Sequence, residues 1–276
     1  MNRRPSVPGS SRQIAVILAS GALVLSACGG GSTDAGSGAG SGSEKSTRTI
    51  TVGTSNDAPF AFHDAGQNTL KGIDGEMIEA IAKKNGWKIK VYDTDFSTLI
   101  PALQTKKIDM IVDAMYITDE RKKQVNFTDP WYSEGEGIVV RDDETAITGA
   151  ADLKGKNIGA QTGTVYLDYA KTLGAAKVLV LDSQAALLQA LKNKQADAVV
   201  TDSAVAGYAI GQQPSGGIKL ILPNPPHFPG TIGAAVRKED TQLLADLNAG
   251  VAELKSSNQD LTILKKFGLG ENNRQK

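Results

Sequence analysis

The sequence has very few of the side chains that cross-link a protein or bind a metal. One Cys and two His are present among 276 residues. A single Cys cannot close an internal disulfide, and structural zinc or an iron–sulfur cluster needs several Cys ligands. His63 and His227 stand apart in loop-like segments without metal-ligand spacing. We therefore expect no metal site and no cofactor.

Net charge is also absent. The 30 Lys and Arg residues balance 30 Asp and Glu residues, so the chain lacks the basic excess typical of nucleic-acid binding. The motifs HExxH, GxSxG and GxxxxGK(S/T), which are typical of zinc proteases, serine hydrolases and nucleotide-binding loops, do not occur. We predict no catalytic residues and expect that the protein is not an enzyme.

The N-terminus carries an apolar run that is too short to span a membrane. Three arginines precede the run at 14–25, whereas a bilayer core of about 30 Å needs about 20 apolar residues. The run ends in the sequence LSAC at 25–28, which resembles the lipobox of bacterial lipoproteins. The resemblance predicts a signal peptide over 1–27 and lipidation of Cys28. The alternative is an ordinary signal peptide with a chance Cys.

The segment that follows consists almost entirely of Gly, Ser, Ala and Thr. Such a composition has little to bury and behaves as a flexible coil, which here would span roughly 25 Å. We predict a tether over 28–47 that holds a folded domain close to a membrane surface, with the N-terminal lipid as the only membrane contact.

From residue 49 onward, short β-branched or apolar runs alternate with helical patterns. A helix is predicted at 76–85, with Asp74 near its N-cap and Gly86 at its C-cap, and Asp240 is predicted to cap a closing helix. The runs that predict strands are 50–54, 88–92, 108–114, 137–140, 158–160, 177–181, 198–201, 218–222 and 231–236. This alternation predicts an α/β fold.

A weak internal repeat divides the folded part into two similar units. A leucine-rich helix, a Lys-containing turn, an Asp and a buried strand occur at 99–112 and again at 187–200. The repeat favours two lobes, although such units also recur by chance in α/β proteins. Because ligands bind beyond the carboxyl ends of strands in open α/β sheets, residues 114–121 and Asp202 are predicted to face each other across a cleft.

The residues at these strand ends suit a small zwitterion. Arg121 offers a planar fork that binds a carboxylate through two hydrogen bonds. Thr118 is a good N-cap for the turn that carries Arg121, and Thr164 stands at a strand-to-helix turn that offers a second backbone site for an anion. Asp202 supplies a negative charge for an ammonium or amidinium group. A surface salt bridge or a helix cap is the alternative role for each of them.

Six stretches of sequence carry a resemblance to a known family. They lie at 72–74, 96–103, 117–130, 152–156, 161–164 and 196–202. Together they resemble the family 3 extracellular solute-binding proteins of bacterial ABC importers, which serve polar amino acids and related solutes, over about 49–268. The resemblance implies a monomeric, two-lobed flytrap of the periplasmic-binding-protein type (type II) that passes its ligand to a membrane permease outside the cytoplasm.

The resemblance also implies how the chain divides between the lobes. It places one hinge strand near 132–139 and the other near 230–234. Lobe 1 would then comprise 48–134 and 232–272, and lobe 2 would comprise 135–231.

The resemblance assigns roles at the cleft. For the ligand carboxylate it implies contact with Arg121 and with backbone amides near Thr118 and Thr164. Phe96 matches a residue of the wall, and Gln161 matches a residue that selects the ligand's side chain.

For the α-ammonium group, the resemblance implies the carbonyl of Ala114, the hydroxyl of Tyr116 and the carboxylate of Asp202. Tyr116 departs from the family pattern, because many relatives have Ser or Thr there. An aromatic ring can stack on a planar group and still donate a hydrogen bond.

A second departure lies in the first loop, where Asp57 replaces an aromatic residue two positions before Pro59. The first loop places an acid, a proline and an aromatic residue in that order, at Asp57, Pro59 and Phe60. Together with an aromatic residue five positions before Arg121, this loop is similar to the ectoine-binding branch of the family. Asp202 is more typical of the amino-acid binders, so the ligand class stays open. The alternative for Asp57 is that it caps a turn.

These features predict the substrate-binding component of an ABC importer, which captures an amino acid of polar or cationic type by lobe closure. A binder of ectoine or hydroxyectoine is the first alternative. The alternative of another class is an enzyme on the same scaffold, such as a dehydratase of prephenate-like acids.

Overall fold

The computed structural model describes residues 47–64, 66–214, 216–223 and 225–275. The predicted signal peptide at 1–27, the lipidation site Cys28 and most of the tether at 28–47 lie outside the described residues. None of the helices in the described part is both long and apolar enough to cross a bilayer.

The described ranges contain twelve strands and eight α-helices. The strands are β1 (Thr49–Thr54), β2 (Lys88–Asp93), β3 (Met110–Ile111), β4 (Asn126–Phe127), β5 (Tyr132–Glu134), β6 (Glu136–Arg141), β7 (Asn157–Gln161), β8 (Lys177–Leu181), β9 (Ala198–Asp202), β10 (Ile218–Ile221), β11 (Gly230–Ile232) and β12 (Ala235–Val236). The helices are α1 (Ile73–Asn85), α2 (Leu99–Gln104), α3 (Asp119–Lys122), α4 (Val165–Thr172), α5 (Gln184–Lys192), α6 (Ser203–Gln212), α7 (Thr241–Ser256) and α8 (Gln259–Lys266).

The first sheet has the strand order β2-β1-β3-β12-β4, with β1 parallel to β2 and β3 and with β12 antiparallel to its neighbours. Helices α1, α7 and α8 pack together beside it. The apolar face of α1 is buried as predicted, and Gly86 ends the helix in the left-handed conformation with φ 67°. We call the unit built on this sheet lobe 1.

The second sheet has the strand order β10-β6-β9-β7-β8, and helices α4, α5 and α6 pack against it. We call this unit lobe 2. Strands β7, β8 and β9 are parallel, whereas β6 is antiparallel to β9 and β10. Two mixed sheets with helices confirm the predicted α/β class.

The internal repeat corresponds to the central strand of each sheet. Helix α2 leads into β3 in lobe 1, and α5 leads into β9 in lobe 2. The carboxylate of Asp109 accepts the backbone N–H of Thr51 at 2.8 Å, and that of Asp197 accepts the backbone N–H of Asn157 at the same distance. Each Asp therefore holds its strand in register with a parallel neighbour.

A small third sheet lies where the chain passes between the lobes. β5 follows β4 of the first sheet and precedes β6 of the second, while β11 follows β10 and precedes β12 on the return. β5 and β11 pair antiparallel, with Tyr132 opposite Ile232. The two crossings are therefore joined by one ladder of hydrogen bonds.

Two predicted strands were wrong in their extent. The predicted strand at 231–236 is two strands in different sheets, because Ala234 leaves the ladder and exchanges backbone and side-chain hydrogen bonds with Thr128. The predicted strand at 108–114 is reduced to Met110–Ile111. It cannot extend through Ala114, which adopts φ 47°, outside the extended region. The short strand β4 was not predicted, whereas β5 lies within the hinge strand that the resemblance implied near 132–139.

The predicted caps also need correction. Helix α1 begins at Ile73 rather than at 76, with Gly72 at its N-cap, and a Cβ at Gly72 would lie 2.3 Å from the carbonyl oxygen of Phe60. Asp74 lies inside the first turn and does not cap the helix. Asp240 does occupy the N-cap of α7, but it makes no capping hydrogen bond.

Candidate ligand-binding site

A cavity between the lobes brings together all nine residues that the sequence predicted for the site. The space left between these side chains is small, about 30 Å³. Lobe 1 contributes Asp57, Phe60, Phe96, Asp113, Ala114, Tyr116 and Arg121, and lobe 2 contributes Gln161, Thr164, Val165, Tyr166, Gln184, Asp202 and Val205. Five of these residues were not predicted from the sequence, namely Asp113, Val165, Tyr166, Gln184 and Val205.

Arg121 lies in the short helix α3, which begins as predicted. The hydroxyl of Thr118 accepts the backbone N–H of Arg121 at 3.3 Å. The guanidinium donates through Nη1 to the carbonyl of Tyr116 at 2.9 Å and through Nη2 to the carbonyl of Gly163 in lobe 2 at 3.0 Å. Its centre lies 5.4 Å from the ring of Phe96. Burial lowers the pKa of Arg121 to about 10, so the group stays charged at neutral pH.

Asp202 is the last residue of β9, which extends one residue beyond the strand predicted at 198–201. Its side chain is buried, and Oδ1 accepts the hydroxyl of Tyr166 at 3.1 Å. Burial is the main reason that the pKa of Asp202 is raised to about 7. A cation beside this carboxylate would favour its ionised form, so the position suits an ammonium group.

Two tyrosines meet in the cavity, one from each lobe. The hydroxyl of Tyr116 lies 2.7 Å from that of Tyr166, and the rings meet edge to face with 5.8 Å between centroids. Tyr166 lies two residues after the N-cap Thr164, so its placement follows from the strand-to-helix turn that was predicted at Thr164. No motif distinguished it from a buried core residue.

Asp57 lies in the loop after β1, and its side chain does not cap the turn. The backbone carbonyl of Asp57 accepts the N–H groups of Phe60 and Ala61. The carboxylate instead accepts the hydroxyl of Ser55 at 3.1 Å. The turn is therefore closed by the backbone, and the acidic group is left to face the cavity.

Asp113 adds a second carboxylate beside Asp57. It accepts the hydroxyl of Thr54 at 2.8 Å, the backbone N–H of Ser55 at 3.0 Å and the hydroxyl of Ser55 at 2.5 Å. Ser55 has one hydroxyl proton, so it cannot donate to both carboxylates at once. Burial raises the pKa of Asp57 and of Asp113, and the charge of Asp57 raises that of Asp113 further.

Ala114 is held in a left-handed backbone conformation that L-residues rarely adopt. Its N–H donates to Oδ2 of Asp74 at 2.6 Å, and Oδ1 of Asp74 accepts the hydroxyl of Tyr132 at 2.6 Å. The buried Asp74 thus ties helix α1 to this turn and to β5 between the lobes. The arrangement fixes the direction of the Ala114 carbonyl.

The side chain of Gln161 is held by lobe 2 itself. Its Nε2 donates to the carbonyl of Asp182 at 3.0 Å, and its Oε1 accepts Nε2 of Gln184 at 2.8 Å. Gln184 in turn accepts the hydroxyl of Thr201 at 2.6 Å. The hydroxyl of Thr164 accepts the N–H of Leu167, so that side chain caps α4. These bonds keep the lobe 2 wall in place.

The site therefore combines one guanidinium with three carboxylates, those of Asp57, Asp113 and Asp202. Such a set can bind a carboxylate at one end and positive charges at the other. Within the described residues, no group of three or more His, Cys, Asp or Glu is arranged to hold a metal ion.

The chain is similar to proteins of known kind over nearly all of its described length. The profile of the bacterial extracellular solute-binding proteins, family 3, matches residues 50–270. The arginine-binding extracellular protein ArtP of Bacillus subtilis is 32% identical over 252 residues, which cover 90% of this chain and 93% of ArtP.

Two solved structures share the fold. An ancestral arginine-binding protein bound to glutamine is 39% identical with a TM-score of 0.73, covering 80% of this chain and 97% of that one. The ancestral amino-acid-binding protein AncCDT-1, a precursor of cyclohexadienyl dehydratase, is 33% identical with a TM-score of 0.72, covering 79% of this chain and 95% of that one. The two-lobed architecture, the match along the chain and these likenesses agree, and the chain belongs to the bacterial extracellular solute-binding proteins, family 3.

Proposed function

We propose that this protein is the substrate-binding component of an ABC importer and that its ligand is a cationic amino acid such as L-arginine. The observation that carries the proposal is the charge of the cavity, where three carboxylates face one guanidinium. An ordinary zwitterion pairs its carboxylate with Arg121 and its ammonium group with one of the three acids. The other two acids of the site are then left without a cation. A ligand with a second positive charge removes one of the excess negative charges.

The ligand's common part binds between Arg121 and Asp202. Arg121 has five N–H donors, and two of them are engaged with the carbonyls of Tyr116 and Gly163. The remaining donors serve the ligand carboxylate. The α-ammonium is received by the carboxylate of Asp202, the carbonyl of Ala114 and the hydroxyl of Tyr116.

The cationic end of the ligand is received by Asp57 and Asp113. These two carboxylates compete for the one proton of the Ser55 hydroxyl, and burial disfavours their charged forms. A guanidinium carries several donors in one plane and can bond to both acids. Binding would therefore satisfy acceptors that the chain itself satisfies only in part.

Capture proceeds by closure of the lobes over the ligand. Hydrogen bonds from Arg121 to Gly163 and from Tyr116 to Tyr166 cross the cleft. Only contacts that are better in the closed form shift the population towards it. We assign 48–134 and 232–272 to lobe 1 and 135–231 to lobe 2, with β5 and β11 as the hinge strands. A membrane permease recognises the closed monomer and receives the solute.

The protein acts outside the cytoplasm and is held at the membrane by a lipid on Cys28. The LSAC sequence at 25–28 and the tether at 28–47 support this part of the proposal. Mass spectrometry of the protein from membranes would give a diacylglyceryl-modified Cys28 at the N-terminus of the mature chain.

The structure favours a binding protein over an enzyme on the same scaffold. The carboxylates of Asp57 and Asp113 are hydrogen-bonded to Ser55 and Thr54, and the two His lie elsewhere. The alternative hypothesis of an ectoine ligand depends on Asp57, Phe60 and Tyr116, all of which line the cavity. Asp113 and Asp202 favour a ligand with two cationic groups over ectoine, which has one delocalised cation.

Asp57→Asn tests the proposed ligand class. We expect arginine to bind about 10- to 100-fold more weakly to the variant, because a charge-assisted hydrogen bond contributes about 1.5 to 3 kcal/mol. Binding of glutamine should change little. Isothermal titration calorimetry with both amino acids gives the comparison, and Asp64→Asn, an exposed acid paired with Lys71, is the matched control. Unchanged arginine affinity in Asp57→Asn would contradict the assignment.

A further inference from the structure

A chain of hydroxyl groups leads across the cleft to Asp202. The hydroxyl of Tyr116 in lobe 1 lies 2.7 Å from that of Tyr166 in lobe 2, and the hydroxyl of Tyr166 lies 3.1 Å from Oδ1 of Asp202. The side chains are buried, with Tyr116 5% exposed, Tyr166 2% and Asp202 8%. Tyr166 has no role in the family pattern described above.

The direction of the hydrogen bonds follows from the number of protons. Above pH 7, where Asp202 is ionised, its carboxylate can only accept, so Tyr166 donates its single hydroxyl proton to Asp202. Tyr166 then has only lone pairs to offer to Tyr116, and Tyr116 must donate to it. The oxygen of Tyr116 is consequently left with free lone pairs, which makes it an acceptor towards the cavity. Hydrogen bonds in such a chain polarise and strengthen one another.

Packing holds the first ring of this chain in place. A Cβ at Gly230 would lie 2.1 Å from the ring of Tyr116, so the ring sits directly on the backbone of β11. The carbonyl of Tyr116 is held by Arg121 at 2.9 Å. Tyr166 belongs to the first turn of α4, which Thr164 caps. The hydroxyl of Tyr116 therefore meets that of Tyr166 when the lobes are in the arrangement described here.

We propose that Tyr166 is a positioning residue for the ammonium subsite, which turns the hydroxyl of Tyr116 into an acceptor and supports the carboxylate of Asp202 as the lobes come together. The inference rests on the proposed function for the identity of the group received there. It assigns to Tyr166 a part in selecting ligands that present N–H donors at this point.

The charged and titratable groups around Asp202 determine how a substitution would act. The pKa of Asp202 is raised to about 7, because burial and the charge of Asp57 raise it by more than the hydrogen bond from Tyr166 and the charge of Arg121 lower it. Glu134 on β5 also faces Asp202, and the charge of Asp202 raises the pKa of that buried carboxyl.

Tyr132, also on β5, and Tyr116 face the same carboxylate. Loss of the Tyr166 hydroxyl removes one of the influences that keep the pKa of Asp202 down. The carboxyl of Asp202 would then ionise only at higher pH, and the ammonium subsite would carry its negative charge over a narrower range of pH.

Tyr166→Phe tests the inference without any ligand. Carbon-13 NMR of the aspartate carboxyls across pH 5 to 9, with Asp202 assigned by its loss in Asp202→Asn, is expected to show a higher titration midpoint in Tyr166→Phe than in the unsubstituted protein. Tyr169→Phe, which removes a hydroxyl from the same helix outside the cavity, should leave the midpoint unchanged. An unshifted midpoint in Tyr166→Phe would overturn the inference whatever the ligand proves to be.

Calorimetry with L-arginine as the probe gives the second readout. At pH 8 we expect Tyr166→Phe and Tyr116→Phe each to weaken binding about 3- to 30-fold, and the double variant to lose less than the product of the two, because the hydroxyls act as one chain. Losses that multiply independently would overturn the coupling. If the unsubstituted protein binds no arginine while the NMR midpoint still shifts, the ligand assignment fails and the role of Tyr166 stands.

Discussion

Arg121→Ala is expected to weaken arginine binding by about 2 to 5 kcal/mol, a factor of about 30 to 5,000. The substitution removes the fork that receives the ligand carboxylate, and it also removes the hydrogen bond to Gly163 that crosses the cleft. The partner carboxylate is left without a positive charge in a site shielded from water. Calorimetry over a wide range of arginine concentration measures the loss.

Two further variants make the Arg121 experiment specific. Arg48→Ala removes an exposed guanidinium that lies 5.9 Å from the ring of Trp87, far from the cavity, and should leave affinity unchanged. Arg121→Lys keeps the charge but loses the planar fork, so we expect an intermediate affinity. If Arg121→Ala binds arginine as well as the unsubstituted protein does, Arg121 is not the carboxylate site.

Asp202→Asn is expected to weaken arginine binding about 30- to 1,000-fold at pH 8, because an amide cannot neutralise the α-ammonium. The same substitution should make the ligand-free protein more stable at pH 8. The pKa of this carboxyl in the folded protein, about 7, exceeds its ordinary value of 3.8. The stability that the protonated group contributes is therefore fully present only below pH 3.8. That contribution is lost as pH rises through 7, so the ionised group lowers the free energy of unfolding at pH 8.

Urea denaturation at pH 5 and pH 8 measures the free energy of unfolding of the ligand-free protein and of Asp202→Asn. The advantage of Asp202→Asn over the unsubstituted protein should be larger at pH 8 than at pH 5. Asp197→Asn is a poor control, because Asp197 holds the register of β7, whereas the exposed Asp64→Asn is suitable. Loss of both stability and binding at pH 8 in Asp202→Asn would show that the carboxylate supports the fold rather than the ligand.

Much of the lobe 1 architecture was predictable because it is local in the sequence. The apolar face of α1 and the glycine at its C-cap follow from spacing alone, and the structure confirms both. The paired Asp109 and Asp197 were visible as a repeat, although their function in holding strand register needed the sheet. The strand at 108–114 was overpredicted because the φ of Ala114 depends on Asp74, which is 40 residues away in sequence.

The site was predictable as a group of residues but not as a network. Strand ends and motifs identified Arg121 and Asp202, whereas Asp113 resembled a residue of a buried strand. Tyr166 and Gln184 act through contacts that exist only once the helices of lobe 2 are packed. A single sequence shows which polar groups are present, but the sharing of the Ser55 proton between two carboxylates required coordinates.

The most direct test of the account is calorimetry of the unsubstituted protein with L-arginine, L-glutamine and ectoine at pH 8. We predict one arginine bound per chain, with a dissociation constant at least about 10-fold lower than that for glutamine, the difference expected for one charge-assisted hydrogen bond. Saturable binding of glutamine or ectoine with no arginine binding would contradict the charge argument on which the proposal rests.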